Sequence, residues 1–326
     1  MVGRPFTQGS GGLLMSGIRP RLAVAAALLL VTTACSSLTT GTDVAPGFPS
    51  GTPTPTPTVS SPVPPSATPS ASPTPLSPAA LRQGPTTAGP WHQVFGDDFG
   101  GDQLNQSSWV TCYDWNDDGC TNAGQHELEW YLPQQVSESG GALQLTARKT
   151  PTWGSDQKQH AWTSGMVSTG RSYWDGQPRF TLTYGYIAAA IQLPTEQGMF
   201  PAFWLMPAGT RSTPPELDIM EDFGSADNVQ MTLHWAGAGG ADVHSAGRYG
   251  PVDYTTGYHV FAVDWEPHSV TWYIDGVERY QVTDTARIPK VPMEILLNLA
   301  VGYPRSPPAG VTSATMKVDW IRAWQH

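Results

Sequence analysis

The chain has 326 residues, a formal charge of −10 and charged side chains at only 13% of positions. An acidic chain with no basic block has no electrostatic footprint for a polyanion, which excludes nucleic acid as a partner. Its eight histidines are scattered, and neither HExxH nor CxxC occurs, which argues against a zinc enzyme.

Arg19 and Arg21 precede the apolar run LAVAAALLLV, Leu22 to Val31, and TTAC follows, ending at Cys35. The run is shorter than the ~18 apolar residues of a membrane span. Residues 1–35 have instead the layout of a secretory signal, with Met15 as an alternative start that sets the basic residues directly ahead of the run. VTTAC resembles a bacterial lipobox, with Ala34 before the cleavage and Cys35 as the acylated residue, although Thr32 stands where an aliphatic residue is usual. An ordinary cleaved signal is the alternative. Either reading exports the protein, to the cell surface as an anchored lipoprotein or to the medium. Residues 36–90 are dominated by Pro, Thr and Ser, have almost nothing to bury, and are expected to form an extended tether.

Residues 91–326 are long enough for one well-buried domain and short for two. Cys112 and Cys120 lie in CYDWNDDGC, and export makes a disulfide the natural reading. AFWLM (202–206) is bracketed by Pro201 and Pro207, which limits it to a short strand. VQMTLHW (229–235) alternates, with Val229, Met231, Leu233 and Trp235 on one side and Gln230, Thr232 and His234 on the other. VTWYIDGVERY (270–280) reads as a hairpin about Asp275-Gly276. MKVDW (316–320) alternates again. Many short strands separated by turns indicate an all-β, antiparallel β-sandwich.

Between AFWLM and VQMTLHW lies ELDIMED, 216–222. On a regular strand Glu216 and Asp218 share one face, and Glu221 falls on the other with Leu217 and Ile219. A lone carboxylate among core residues is costly. A β-bulge resolves the conflict: if Ile219 and Met220 both turn inward, Glu221 rejoins Glu216 and Asp218 on the outer face. Three acids on one sheet face repel one another. A solvated acidic surface is one explanation, and chemistry is the other. Retaining hydrolysis of a glycosidic bond needs two carboxyl groups ~5–5.5 Å apart, one as nucleophile and one as acid then base.

ELDIMED resembles the active-site strand of glycoside hydrolase family 16 in its bulged form, E-x-D-x-x-E. The resemblance extends over nearly all of 91–326: VFGDDFGGDQLNQSSW (94–109), ELEWYLPQQV (127–136), YGYIAAAIQLPTEQGMFPAFWLMP (184–207), FAVDWEPHSVTWYIDGVERY (261–280), LLNLAVG (296–302) and MKVDWIRAW (316–324) follow in the family's order. It implies a jelly-roll sandwich with a concave substrate cleft and endo-acting, retaining cleavage of β-glucan. Glu216 would be the nucleophile, Glu221 the general acid/base, and Asp218 the partner that hydrogen-bonds the nucleophile. The bulged spacing is similar to that of laminarinase-type enzymes, agarases and carrageenases, and the sparse positive charge argues against a sulfated carrageenan. The expected substrate is a β-1,3- or mixed β-1,3/1,4-glucan. PPELDIMED with MTLHW also looks like depolymerases of succinoglycan-type exopolysaccharides, and a transglycosylase or a non-catalytic glucan-binding lectin are further alternatives.

Sugar rings stack on aromatic side chains. Trp204 shares a strand face with Ala202 and Met206, and the resemblance places it in the cleft. His234, Trp130 and Asn298 are further candidate substrate contacts, whereas Trp235 alternates with core residues. The chain departs from the family at His126, where Asn is usual, and at Ala188 and Ala190, where a Glu-x-Arg pair is usual. These changes bear on the sugar contacts. No cofactor is expected for catalysis. Many family members hold a structural calcium, and Asp98 and Asp319 stand in roughly its places, with two ordinary surface acids as the alternative. A monomer acting on a polysaccharide is the expectation overall.

Overall fold

The computed structural model describes residues 74–113, 119–173 and 175–326. The expected signal, Cys35 and the expected tether up to residue 73 lie outside the described residues. The folded body is a two-layer β-sandwich of jelly-roll type.

The smaller layer runs in the order Asp242–Tyr249, Val229–Ala236, Glu216–Glu221, Met199–Pro207, Met293–Val301 and Met166–Ser168, and every neighbouring pair is antiparallel. The larger layer runs Val277–Val282, Val270–Ile274, His259–Trp265, Gly185–Gln192, Ser313–Gln325, Ala142–Arg148, Trp162–Ser164 and Glu129–Tyr131. Two further strands, His92–Asp97 and Val136–Ser139, pair with Ser313–Gln325 and Ala142–Arg148. One pair departs from the antiparallel expectation: Glu129–Tyr131 lies parallel to Trp162–Ser164.

Alternation sorts each strand between faces. In Met199–Pro207, Phe203 and Leu205 enter the core between the layers, while Ala202, Trp204 and Met206 join a separate cluster with Tyr113, Tyr131, Met166 and Leu296. The main core takes Leu217, Ile219 and Met220 from the acidic strand and Met231 and Leu233 from its neighbour. The 270–280 hairpin forms as read, with Asp275 at φ 52° and Gly276 at φ 75° supplying the left-handed turn.

A third cluster covers the outer face of the larger layer. Tyr186, Ala188, Ala190, Val260, Ala262, Trp320 and Trp324 form it, and Leu81 closes it. Leu81 belongs to the short helix Pro78–Leu81, capped by Ser77, and the Leu76 N–H bonds the Asp275 carbonyl at 2.9 Å. The folded body therefore starts ahead of Trp91. Leu81 is the residue that seats the segment, because it buries against a ready-made face.

Candidate active site

The bulge expected in ELDIMED is present. Against Val229–Ala236, Asp218 faces Thr232 and Glu221 faces Gln230, so three steps on one strand match two on the next. Against Met199–Pro207, Asp218 faces Trp204, Met220 faces Phe203 and Glu221 faces Ala202, which leaves Ile219 as the extra residue. Ile219 and Met220 are both fully buried in the core. Glu216, Asp218 and Glu221 consequently line one small cavity together with Trp204 and Asn298. Glu216 and Glu221 also line the adjoining open groove of about 1030 Å³.

The bulge is held from beneath. A bulge disrupts the ladder and leaves main-chain groups to be satisfied elsewhere. The indole N–H of Trp272, from the other layer, donates to the backbone carbonyl of Asp218 at 2.8 Å. Sequence reasoning missed this tryptophan, although a buried indole usually takes an acceptor and the alternation of Val270, Trp272 and Ile274 pointed it inward.

Side chains fix the acids from above. Thr232 donates its hydroxyl to Glu221 Oε2 at 3.2 Å. His234 lies with Nε2 3.2 Å from Asp218 Oδ2 and Nδ1 3.0 Å from Asp242 Oδ1, so one imidazole bridges two carboxylates. Asp218 and Glu216 hydrogen-bond each other. Burial pushes Glu216 up to about 8, with the negative charge of Asp218 adding to the effect. Burial likewise raises Asp218 to about 8. Glu221 is held well above the usual carboxylate range by burial first and then by its two acidic neighbours. Near neutral pH the cluster thus retains protons that exposed carboxyls would have lost.

Trp204 and Asn298 both line the cavity of the three acids and are tied together. The Trp204 indole N–H donates to Asn298 Oδ1 at 2.8 Å, and Asn298 Nδ2 donates to the Tyr131 hydroxyl at 3.2 Å. Beside them sits a second carboxyl pair. Glu127 reaches the cavity of the three acids and hydrogen-bonds Glu129, which is fully buried and accepts the Val301 N–H at 2.8 Å. Burial raises both, Glu127 far more than Glu129.

Other candidates fall elsewhere. Trp130 is buried, its ring 5.0 Å from that of His160 and pressed against the backbone of Gly119 and Gly154. It packs beneath the hairpin formed by Thr152–Trp153 and Gln159–His160 and is not among the residues that line the groove. Trp235 is partly buried against the core, with the Arg287 guanidinium 4.5 Å from its ring centroid. Ala188 and Ala190 lie under Leu81 on the far face of the larger layer, so their difference from the Glu-x-Arg pattern concerns the seating of the N-terminal segment and leaves the sugar contacts alone. His126 is exposed with φ 59°, a conformation that suits Asn better, and Gln125 beside it lines the groove. Cys112 and Cys120 are disulfide-bonded, Cα–Cα 4.9 Å.

Asp98 does not fit a calcium ion. Its Oδ1 accepts from Arg82 Nη2 and from Arg322 Nη1, each at 2.6 Å, and these guanidiniums, Arg322 foremost, hold the carboxyl below its usual range. Two guanidiniums already engage Oδ1 of this carboxylate. Asp319 is half-buried on the Ser313–Gln325 strand, and among the described residues no group of three His, Cys, Asp or Glu could hold a metal.

A jelly-roll sandwich with three interacting carboxyls at the floor of an open groove has the architecture of a polysaccharide-cleaving enzyme. The family model described as Glycosyl hydrolases family 16 matches residues 123–322, and the chain belongs to that family. An endo-1,3-1,4-beta-glycanase of Rhizobium meliloti, EglC, is 34% identical over 71% of this chain and 51% of its own length. A glucan endo-1,3-beta-glucosidase, A1, of Niallia circulans is 30% identical over 72% of this chain and 38% of its own. The chain thus spans about half, or less, of these curated relatives. Among solved structures, an endo-beta-1,3-glucanase from Pyrococcus furiosus superposes with a TM-score of 0.63 at 28% identity, covering 72% of this chain and 94% of that one.

Proposed function

We propose that the protein is a retaining endo-β-glucanase acting on β-1,3- or mixed β-1,3/1,4-glucan. The observation that carries the reading is the bulge, which sets Glu216, Asp218 and Glu221 at the floor of one groove. The names of the similar proteins support glucan as the polymer. Each residue has a role that its surroundings suit. Glu221, buried and proton-retaining, protonates the leaving glycosidic oxygen as the bond to the anomeric carbon breaks. Glu216 and Asp218 share a proton near neutral pH, and with that proton on Asp218 Glu216 attacks the carbon as the carboxylate. Glu221, now ionised, takes a proton from water, which displaces Glu216 and restores the original anomeric configuration.

Trp204 serves as the sugar platform beside the acids, and Asn298 orients it. Export suits a polymer too large to enter the cell, whether Cys35 is acylated or the signal is simply removed.

The test is release of reducing ends from laminarin. Glu216→Gln and Glu221→Gln should each abolish it while the thermal unfolding transition is preserved. Wild-type turnover surviving either change refutes the assignment.

A further inference from the structure

Outside the acid cluster, one end of the groove carries a different chemistry. Glu221 pairs across the sheet with Gln230, and Gln230 with Arg248, which places Arg248 two strand spacings, ~10 Å, from the acid. Arg248 is exposed; its Nε donates to Gln230 Oε1 at 2.8 Å, and its guanidinium lies 5.9 Å from the Phe223 ring centroid. That anchorage leaves both Nη groups without a partner among the described residues. Arg305, also exposed, lines the same groove two residues beyond Tyr303 and has no ion pair among the described residues. Between them stand aromatic rings: Phe223 stacks on Phe200 at 5.2 Å, and Tyr303 lies 5.1 Å from Phe200 and 6.1 Å from Phe223.

We infer that this end of the groove is a subsite for a sugar bearing a carboxylate substituent, its ring on the aromatic group and its charge on Arg248 and Arg305. The inference rests on the glucanase reading for the identity of the polymer. A guanidinium held by one edge offers its remaining N–H groups to a carboxylate in fork geometry. The acids of the same groove set the limits. Glu216 and Glu221 supply no positive charge at the cleavage point, Asp242 is engaged by His234, and Asp227, which also lines the groove, accepts from Asn228 Nδ2 at 2.8 Å. An acidic unit is therefore admitted only at a fixed distance from the cleaved bond.

The experiment compares partly carboxymethylated laminarin with neutral laminarin at low and high salt, for the wild type and for an Arg248→Gln, Arg305→Gln double variant. The ratio of kcat/KM, carboxymethylated over neutral, should fall several-fold in the double variant and, for the wild type, with added salt. A ratio that neither change moves overturns the subsite while leaving the glucanase reading intact. If neither polymer is cleaved, that reading fails, and affinity electrophoresis in gels containing each polymer decides the subsite: retardation by the carboxymethylated chain that depends on both arginines supports it, and equal mobility of wild type and variant refutes it.

Discussion

Trp272 donates its indole N–H to the carbonyl of Asp218, so the larger layer of the sandwich holds the bend in the catalytic strand of the smaller one. The contact is buried, and a carbonyl left without it has no water to turn to. Trp272→Phe removes the donor together with part of the buried indole's volume, so the hydrogen bond and some packing are lost at once. It should cost about 1–3 kcal/mol of stability and, because the bulge sets the phase of the acids, lower kcat by ~10–100-fold. Urea unfolding together with steady-state kinetics on laminarin checks both. A loss of stability with unchanged kcat means that the bulge holds itself.

Where the chain revealed its site and where it hid it follow from the range of the interactions. The bulge was legible because a period-2 pattern broke within six residues, and only one insertion put Leu217, Ile219 and Met220 inside and the acids outside. Trp204 and His234 could be read from their strands' alternation for the same reason. Trp272 and Asp218 are far apart in sequence and meet only when the two layers close, so no local pattern announced the contact. Trp130 misled because an indole beside acidic residues suggests a sugar platform, while its neighbours Gly119, Gly154 and His160 meet it only through long-range folding. The role of Ala188 and Ala190 depended on which layer their strand joined, and strand order is not local either.

The bridge from Asp242 through His234 to Asp218 gives a prediction on positioning. His234→Gln retains a donor toward Asp218 but shortens the bridge to Asp242. It should reduce kcat by ~10-fold or more with little change in KM, and shift the pH–rate profile, because Asp218 then holds its shared proton differently. An effect confined to KM assigns His234 to substrate contact instead.

Stability should respond to pH through Glu216. In the unfolded chain this carboxyl titrates near ~4.3, and in the folded protein near 8. Between those values the folded state binds the extra proton, so the contribution of Glu216 to stability declines as pH rises toward 8. Glu216→Gln removes the ionisation and should be more stable than wild type by about 1–3 kcal/mol at pH 8, with the advantage shrinking toward pH 4. Thermal melts across that range provide the check, and parallel curves for the two proteins contradict it.

The N-terminal segment should behave as part of the domain. Leu81 is 3% exposed beneath the outer face of the larger layer. Leu81→Ala should cost about 2–3 kcal/mol through the cavity it leaves. The site lies on the other layer, so kcat on laminarin should hold. A Tm equal to wild type would show that the segment merely rests on the surface.

Reduction of Cys112–Cys120, eight residues apart in sequence, should cost about 2–3 kcal/mol by releasing loop entropy in the unfolded chain. Melts with and without reductant measure it. An unchanged Tm means that the loop is held by its other contacts, among them the Tyr131 N–H to the Cys120 carbonyl at 2.7 Å.

The division of labour between the two glutamates is tested most directly by azide rescue on an activated β-glucan oligosaccharide, with the anomeric configuration of the product read by NMR. Azide should restore turnover to Glu221→Ala with a β-glycosyl azide as product, because Glu216 still forms the covalent intermediate. With Glu216→Ala, azide itself should attack the sugar and give the α-glycosyl azide. Products of the opposite configuration in the two variants, or no rescue of either, would contradict the assignment of Glu216 as nucleophile and Glu221 as acid/base.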